Sequence, residues 1–387
     1  MPEKNGEKKD AQDATVSGAS VTECPFSSSK DPYYNEYLEV HKLIALGNLA
    51  TDKHDEQLFI TIHQAYELWF KQVLIELKSV VDMFIDAKTG KPRKIDDNSG
   101  EMVLIVSRLG RIVEIWKVLV AQVDILETMT PMDFLEFRKG LGSASGFQSR
   151  QFRIIEAMMG LTPAGRYKST DAVDRGGSDY YKRVGVKEGG FNEEDRKAID
   201  EIEIGANLRH GVIAWLDRFA GSFGFTEQKY KELWTAYLGE YVQSLPERDR
   251  DNLSEKFSAN FLADEKKDRG SAEFTIAARR AALIISLLRD YPVLRAPFQV
   301  MLRLIDIDEY MAIWRFRHLN MAVRMIGKRS GTGGHSATYL EGAVRENRVF
   351  PELLELPTYL LDTSSVNKVI EPYKSILENE FCLQKNG

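Results

Sequence analysis

The stretch 55-DEQLFITIHQAYELWFKQVLIELKSVVDMFIDA-87 decides the fold class. Phe59, Ile62, Tyr66, Phe70, Val73, Leu77 and Phe84 recur in it at helical spacing, which stacks apolar side chains on one face of a helix. One polar ring interrupts that face. His63 shares it with Phe59, Tyr66 and Phe70. A polar group on an apolar stripe needs a partner, because burial without one costs free energy.

The same helical period runs outward from this segment. Residues 101–127 read as a second long helix, and 34–46 carry Tyr34, Tyr37, Leu38 and His41 at three- and four-residue steps. Between the two long segments, TGKPRKIDDNSG is a loop broken by Gly90 and Pro92. In 130-TPMDFLEFRKGL-141, Thr130 is a natural N-cap, with Pro131 at the first helical position and Asp133 at the third. Ser145 and Gln148 have the spacing of a capping box, which predicts a helix beginning near Gly146. Further helices are expected at 271–290 and 297–328. Residues 162–192 read as a long loop and 329-RSGTGGHSATYL-340 as a glycine-rich one. No internal repeat and no run of strand alternation appears. The expected fold is all-α, a bundle of long antiparallel helices. Residues 31–195 and 270–375 form its core, 196–269 a smaller helical insertion, and 1–30 and 376–387 its tails.

Composition narrows the function. Of 387 residues, 43% are hydrophobic and 28% charged, which suits a globular protein with a real core. The net charge of −6 argues against a nucleic-acid partner. No run reaches 18 apolar residues and the N-terminus lacks a signal-like apolar region, so no membrane association is expected. The two cysteines, Cys24 and Cys382, form no CxxC or Cys/His cluster. A reducing, cytoplasmic compartment fits them, and neither a zinc site nor a disulfide framework is expected.

A second histidine repeats the anomaly of His63. In 314-WRFRHLNMAVRM-325, Trp314, His318, Met321 and Met325 share one helical face. Two readings are open. Both histidines can be core residues bonded to neighbours. Alternatively they line a cofactor slot between helices, where a haem needs one axial imidazole, apolar walls and an open distal side. Periodicity does not choose between them, nor does it decide which histidine takes which role. Arg138 follows Phe134 and Phe137 in FLEFR, where a guanidinium could clamp a carboxylate. The GTGG stretch lacks the phosphate-loop pattern, and a lid presenting the Thr332 hydroxyl to a ligand suits it better. His41, His54, His210 and His335 have no partner pattern.

Four long stretches, taken in order, carry a resemblance. HDEQLFITIHQAYELWFKQVL, MTPMDFLEFRKGLGSASGFQSRQFR, FQVMLRLIDIDEYMAIWRFRHLNM and RMIGKRSGTGG are similar to the tryptophan 2,3-dioxygenase family, over about residues 34 to 361. The resemblance implies a helical haem enzyme, a homotetramer, that inserts O2 across the indole C2=C3 bond of L-tryptophan to give N-formyl-L-kynurenine. It implies haem b, ferrous when active, with His318 as the iron ligand and His63 on the distal side near the indole N–H. It further implies that Arg138 holds the substrate carboxylate and Thr332 its amino-acid end. Phe59, Phe134 and Leu126 would line the indole pocket, Ser145 and Gly146 would lie against the haem, and Trp314 would pack on the proximal side. Tyr34 and Tyr37 would reach into a neighbouring subunit's site. One departure is visible. HSATYL follows GTGG where the family usually has a longer serine- and glycine-rich turn, so loop closure over the substrate is expected to differ. The competing readings are a related haem protein without turnover and a cofactor-free helical scaffold.

Overall fold

The computed structural model describes residues 33–95, 99–142, 144–161, 191–221, 225–263, 273–327, 329 and 347–375. They are helical with short connections, and the one β-type pairing among them is an isolated bridge between Ile85 and Pro92. The expected all-α class is what the chain adopts. Residues up to Asn48 form one unit and those from Leu49 a second. The first holds α1 (Tyr34–Tyr37) and α2 (Val40–Ile44), joined at Glu39 with a left-handed φ of 52°. Neither helix buries a residue, and Tyr34 and Tyr37 are exposed.

Three long helices organise the second unit: α3 (His54–Phe84), α4 (Gly100–Leu126) and α12 (Pro292–Ile326). Asp55 and Glu56 in the first turn of α3 face the positive end of its dipole. The helix stops at Phe84, three residues before the apolar period predicts. There the chain turns back, and Arg93 N–H donates to the Phe84 carbonyl at 2.8 Å. Ser99 caps α4 by accepting from Met102 N–H. Val73, Leu77 and Val80 of α3 meet Ile105, Leu109, Ile112 and Trp116 of α4 in one buried core. Each such side chain contributes about 1.5–3 kcal/mol by leaving water.

Helix directions follow from paired contacts. Arg108 bonds Ser79, Arg111 pairs with Glu76, and Leu119 accepts from Tyr66. Numbers rise on α4 as they fall on α3, so these two helices are antiparallel, as expected. Helix α12 is different. Arg303 lies beside Gly110, Lys117 sits over the Tyr310 ring, and Arg317 bonds Asp124. Both numbers rise together, by seven at each step, so α4 and α12 run parallel with a heptad register. The long connection between them lets the chain return to the same end, where a short loop would have forced an antiparallel pair.

Between them in sequence lie α5 (Pro131–Arg138), α6 (Arg150–Met159), α7 (Glu193–Ile204), α8 (Leu208–Gly221), α9 (Glu227–Ser244), α10 (Glu247–Phe257) and α11 (Ile276–Leu287); α13 (Pro351–Glu355) and α14 (Thr363–Ile370) follow α12. Helix α8 packs on α3 and α11. Its Gly211 is required there, since a β-carbon would fall 2.6 Å from Phe84 Cβ. Trp234, Tyr237, Phe257, Phe261 and Tyr359 form a second buried aromatic group behind α9 and α10.

Candidate active site

The α5 segment is built as its sequence predicts. Thr130 accepts from Asp133 N–H, Asp133 accepts from Thr130 N–H, and Pro131 opens the helix. Phe134 and Phe137 thereby reach Phe59 of α3, with ring centroids 6.0 and 5.6 Å away. Phe137 is fully buried and belongs to this wall, although the sequence reading had it only as a neighbour of Arg138. Arg138 is half-buried at the end of α5. The turn beyond it is held tightly. A β-carbon at Gly140 would lie 2.9 Å from Thr51 Cγ2. Thr51 is itself fixed, because its hydroxyl and the Ala50 and Thr51 N–H groups all bond the Glu56 carboxylate. The Thr51 hydroxyl, chiefly, holds Glu56 below the usual carboxylate range.

His63 stands next to this wall, its ring 4.1 Å from Phe59. Its Nδ1 lies 2.7 Å from the Phe59 carbonyl. A carbonyl only accepts, so Nδ1 carries the proton and Nε2 keeps its lone pair. Desolvation pushes the His63 pKa down. His63 is thus a neutral ring offering an acceptor. Tyr66 follows one turn on, 6.5 Å from His63 and 6.0 Å from Trp314. Its hydroxyl donates to Leu119, and burial pushes its pKa up to about 12. Trp314 stacks on His318 at 5.4 Å with an interplanar angle of 15°. Tyr66 therefore joins the two histidine faces. It sat on the same helical stripe as His63, which was the signal that could have found it.

His318 meets the requirements of an iron ligand. Desolvation first, and then His63, depress its pKa to about 4, so the imidazole is neutral at pH 7. Both histidines keep accessible area, yet desolvation is the largest influence on each. Among the described residues no hydrogen bond reaches either ring nitrogen of His318. The Trp314 indole stacks on the ring. No three His, Cys, Asp or Glu side chains gather to hold a metal among the described residues. One imidazole with apolar walls suits an iron whose remaining ligands come from a porphyrin. Haem thus fits the residues present.

The other predicted site residues are placed as follows. Leu126 is buried at the end of α4. Ser145 and Gly146 precede α6, and the helix expected near Gly146 begins there as a 3₁₀ helix over Gly146–Gln148. Gln148 N–H donates to the Ser145 carbonyl at 2.9 Å, closing the 3₁₀ turn, and Gln148 Oε1 accepts from Ser145 N–H at 3.1 Å. The α-helix begins at Arg150, where Ser149 accepts from Phe152 N–H. The S-x-x-Q spacing specified the reciprocal bond, and the second serine took the cap. A β-carbon on Gly146 would meet nothing within 4 Å, so open space lies beside it. Thr332 and most of 162–192 lie outside the described residues.

A family model for tryptophan 2,3-dioxygenase matches residues 19–360 of this chain. The chain belongs to the tryptophan 2,3-dioxygenase family. Curated tryptophan 2,3-dioxygenases resemble it along nearly their whole length. The Dictyostelium discoideum protein is 33% identical over 91% of this chain and 89% of its own. The Bdellovibrio bacteriovorus protein is 36% identical over 86% of this chain and 94% of its own, and the Mus musculus protein 34% over 87% and 84%. Tyr66 and Trp314 connect the His63 and His318 faces.

Neutral buried histidines have a measurable consequence. Below about pH 6.5 the unfolded chain protonates its histidines, whereas folded His318 refuses the proton until about pH 4. Folding stability of the haem-free protein is therefore expected to fall as pH drops through that window. Urea midpoints at pH 7 and pH 5 measure it, and His318→Gln should flatten the difference. An equal pH dependence in the variant would place His318 in solvent.

Proposed function

We propose that this chain acts as a haem-dependent dioxygenase, inserting O2 across the indole C2=C3 bond of L-tryptophan to give N-formyl-L-kynurenine. That is the first step of tryptophan breakdown by the kynurenine pathway. The observation that supports the site assignment is the pair of neutral histidines bridged by Tyr66 and Trp314. The haem is of the b type, ferrous in the active state, and supplies O2 activation when bound. His318 would hold the iron, with Trp314 stacked on its ring and Ser145 and Gly146 lying against the haem.

His63 works as an acceptor. Its Nε2 lone pair receives the indole N–H and sets the orientation of the C2=C3 bond. A very weak acid such as an indole N–H does not need to be deprotonated for this. Phe59, Phe134, Phe137 and Leu126 enclose the ring and exclude water. Arg138 takes the substrate carboxylate and Thr332 the amino-acid end. An apolar wall ending in one arginine suits a substrate that is apolar at one end and zwitterionic at the other.

The assembly we propose is a homotetramer in which Tyr34 and Tyr37 complete a neighbouring subunit's site. The exposed apolar side chains of the N-terminal unit, among them Tyr34, Tyr37 and Ile44, support an exchanged segment. Exposed Leu68, Trp69 and Ile75 on α3 and Val103 and Leu104 on α4 support subunit contacts. No helix among the described residues is long and apolar enough to cross a membrane; we place the protein in the cytoplasm. The test is turnover of L-tryptophan by the haem-loaded protein under ¹⁸O2. Two labelled oxygens per product molecule is the expected result. Absence of tryptophan-dependent oxygen uptake would overturn the reading.

A further inference from the structure

Metal-bound histidines usually owe their orientation to a hydrogen bond on the second ring nitrogen. In this chain the Trp314 indole lies nearly flat against the His318 ring, 5.4 Å away, which also restricts how the ring can turn. The preceding turn of α12 is clamped by α6 at two points. Phe152 of α6 packs on Trp314, centroids 5.0 Å apart, and Trp314 stacks on His318. Glu156, one turn further along α6, accepts from Arg315 Nη2 at 2.9 Å. Arg315 Nη1 also donates to the Asn347 carbonyl at 3.0 Å, and Arg153 donates to the other Glu156 oxygen at 2.7 Å. Glu156 is 1% exposed, and both arginines are buried.

Such a cluster is a costly choice if stability were its only purpose. Buried ion pairs rarely outperform apolar packing of the same volume, and their best-attested use is to specify register. Here the register specified is that of α12 against α6, three residues before His318. The two arms act on adjacent residues, one on the indole that stacks against the imidazole and one on the backbone turn that carries it. We infer that the Glu156–Arg315 pair is a positioning device for His318. It sets the direction of the imidazole through the turn of α12 that carries it and the indole that stacks on it. The inference rests on His318 being the iron ligand, as proposed above.

The test uses haem-loaded protein carrying Glu156→Gln, Arg315→Met or Arg315→Lys. Tyr237→Phe serves as a control, since it removes a buried hydrogen bond to the Tyr359 carbonyl in the second aromatic group. Two quantities are read for each: the thermal midpoint, and the iron–imidazole stretching band of the ferrous form by resonance Raman. The expected result is a shifted, broadened band in Glu156→Gln and Arg315→Met, partly restored in Arg315→Lys and unchanged in Tyr237→Phe. Lowered midpoints with an unmoved band in the Glu156 and Arg315 variants would reduce the pair to a structural role and overturn the inference. Should Arg315→Met fail to fold, Glu156→Gln and Arg315→Lys still decide it. A wild-type protein that binds haem without any iron–imidazole band would overturn the ligand assignment and this inference with it.

Discussion

His318→Ala is expected to lose haem. Loss of a second-shell partner alone typically costs about 10–100-fold in metal affinity, so removal of the proposed iron ligand should cost more than ~100-fold. The apo fold should survive, because His318 contributes one half-buried ring while the surrounding core is made of Tyr66, Phe70, Trp116, Phe152 and Trp314. Haem titration followed by the Soret absorbance measures the effect. Exogenous imidazole added to His318→Gly should restore binding in part. His63→Ala is the informative partner. It should keep its haem and lose turnover, since His63 is assigned to the substrate. Equal haem loss in both variants would mean that the two histidines share one axial role.

Arg138→Ala should weaken tryptophan binding while leaving haem content unchanged. Loss of a charge-assisted, paired contact to a carboxylate in a water-poor site costs about 2–5 kcal/mol. That corresponds to roughly 30- to 5,000-fold in affinity. Arg138→Lys should recover only part of it, because a point charge cannot reproduce the planar fork. Equilibrium titration with L-tryptophan, and with indole as a ligand lacking the carboxylate, separates the effects. Indole binding should be unaffected by the substitution. A variant that binds tryptophan normally would remove Arg138 from the site.

Much of this architecture was legible before any coordinates. The 3.6-residue period of 55–84 and the Thr130–Pro131–Asp133 cap specified α3 and α5 through local physics alone. The anomalous histidines were legible for the same reason, as polar rings on apolar faces. What sequence could not supply was long-range geometry. The parallel, heptad-registered pairing of α4 with α12 depends on a connection whose path no local pattern encodes. The Glu156–Arg315 pair joins residues far apart in the chain and in sequence looks like two ordinary surface charges. Tyr66 and Phe137 were visible as core residues, and only their ring contacts with His63, Trp314 and Phe59 give them a place at the site. The Ser145–Gln148 spacing marks a helix start near Gly146, which the chain makes as a 3₁₀ turn, and the α-helix waits for the Ser149 cap one turn later.

The proposed site sets a haem between His63 and His318 beside a tryptophan-binding wall. Absorption spectra of the purified, haem-supplied protein test it most directly, ferric and then ferrous with CO, each with and without L-tryptophan. The account predicts a Soret band typical of histidine ligation that L-tryptophan shifts and that Arg138→Ala shifts only at much higher tryptophan concentration. A protein that stays colourless after haem supply, or whose haem spectrum ignores saturating tryptophan, would contradict it.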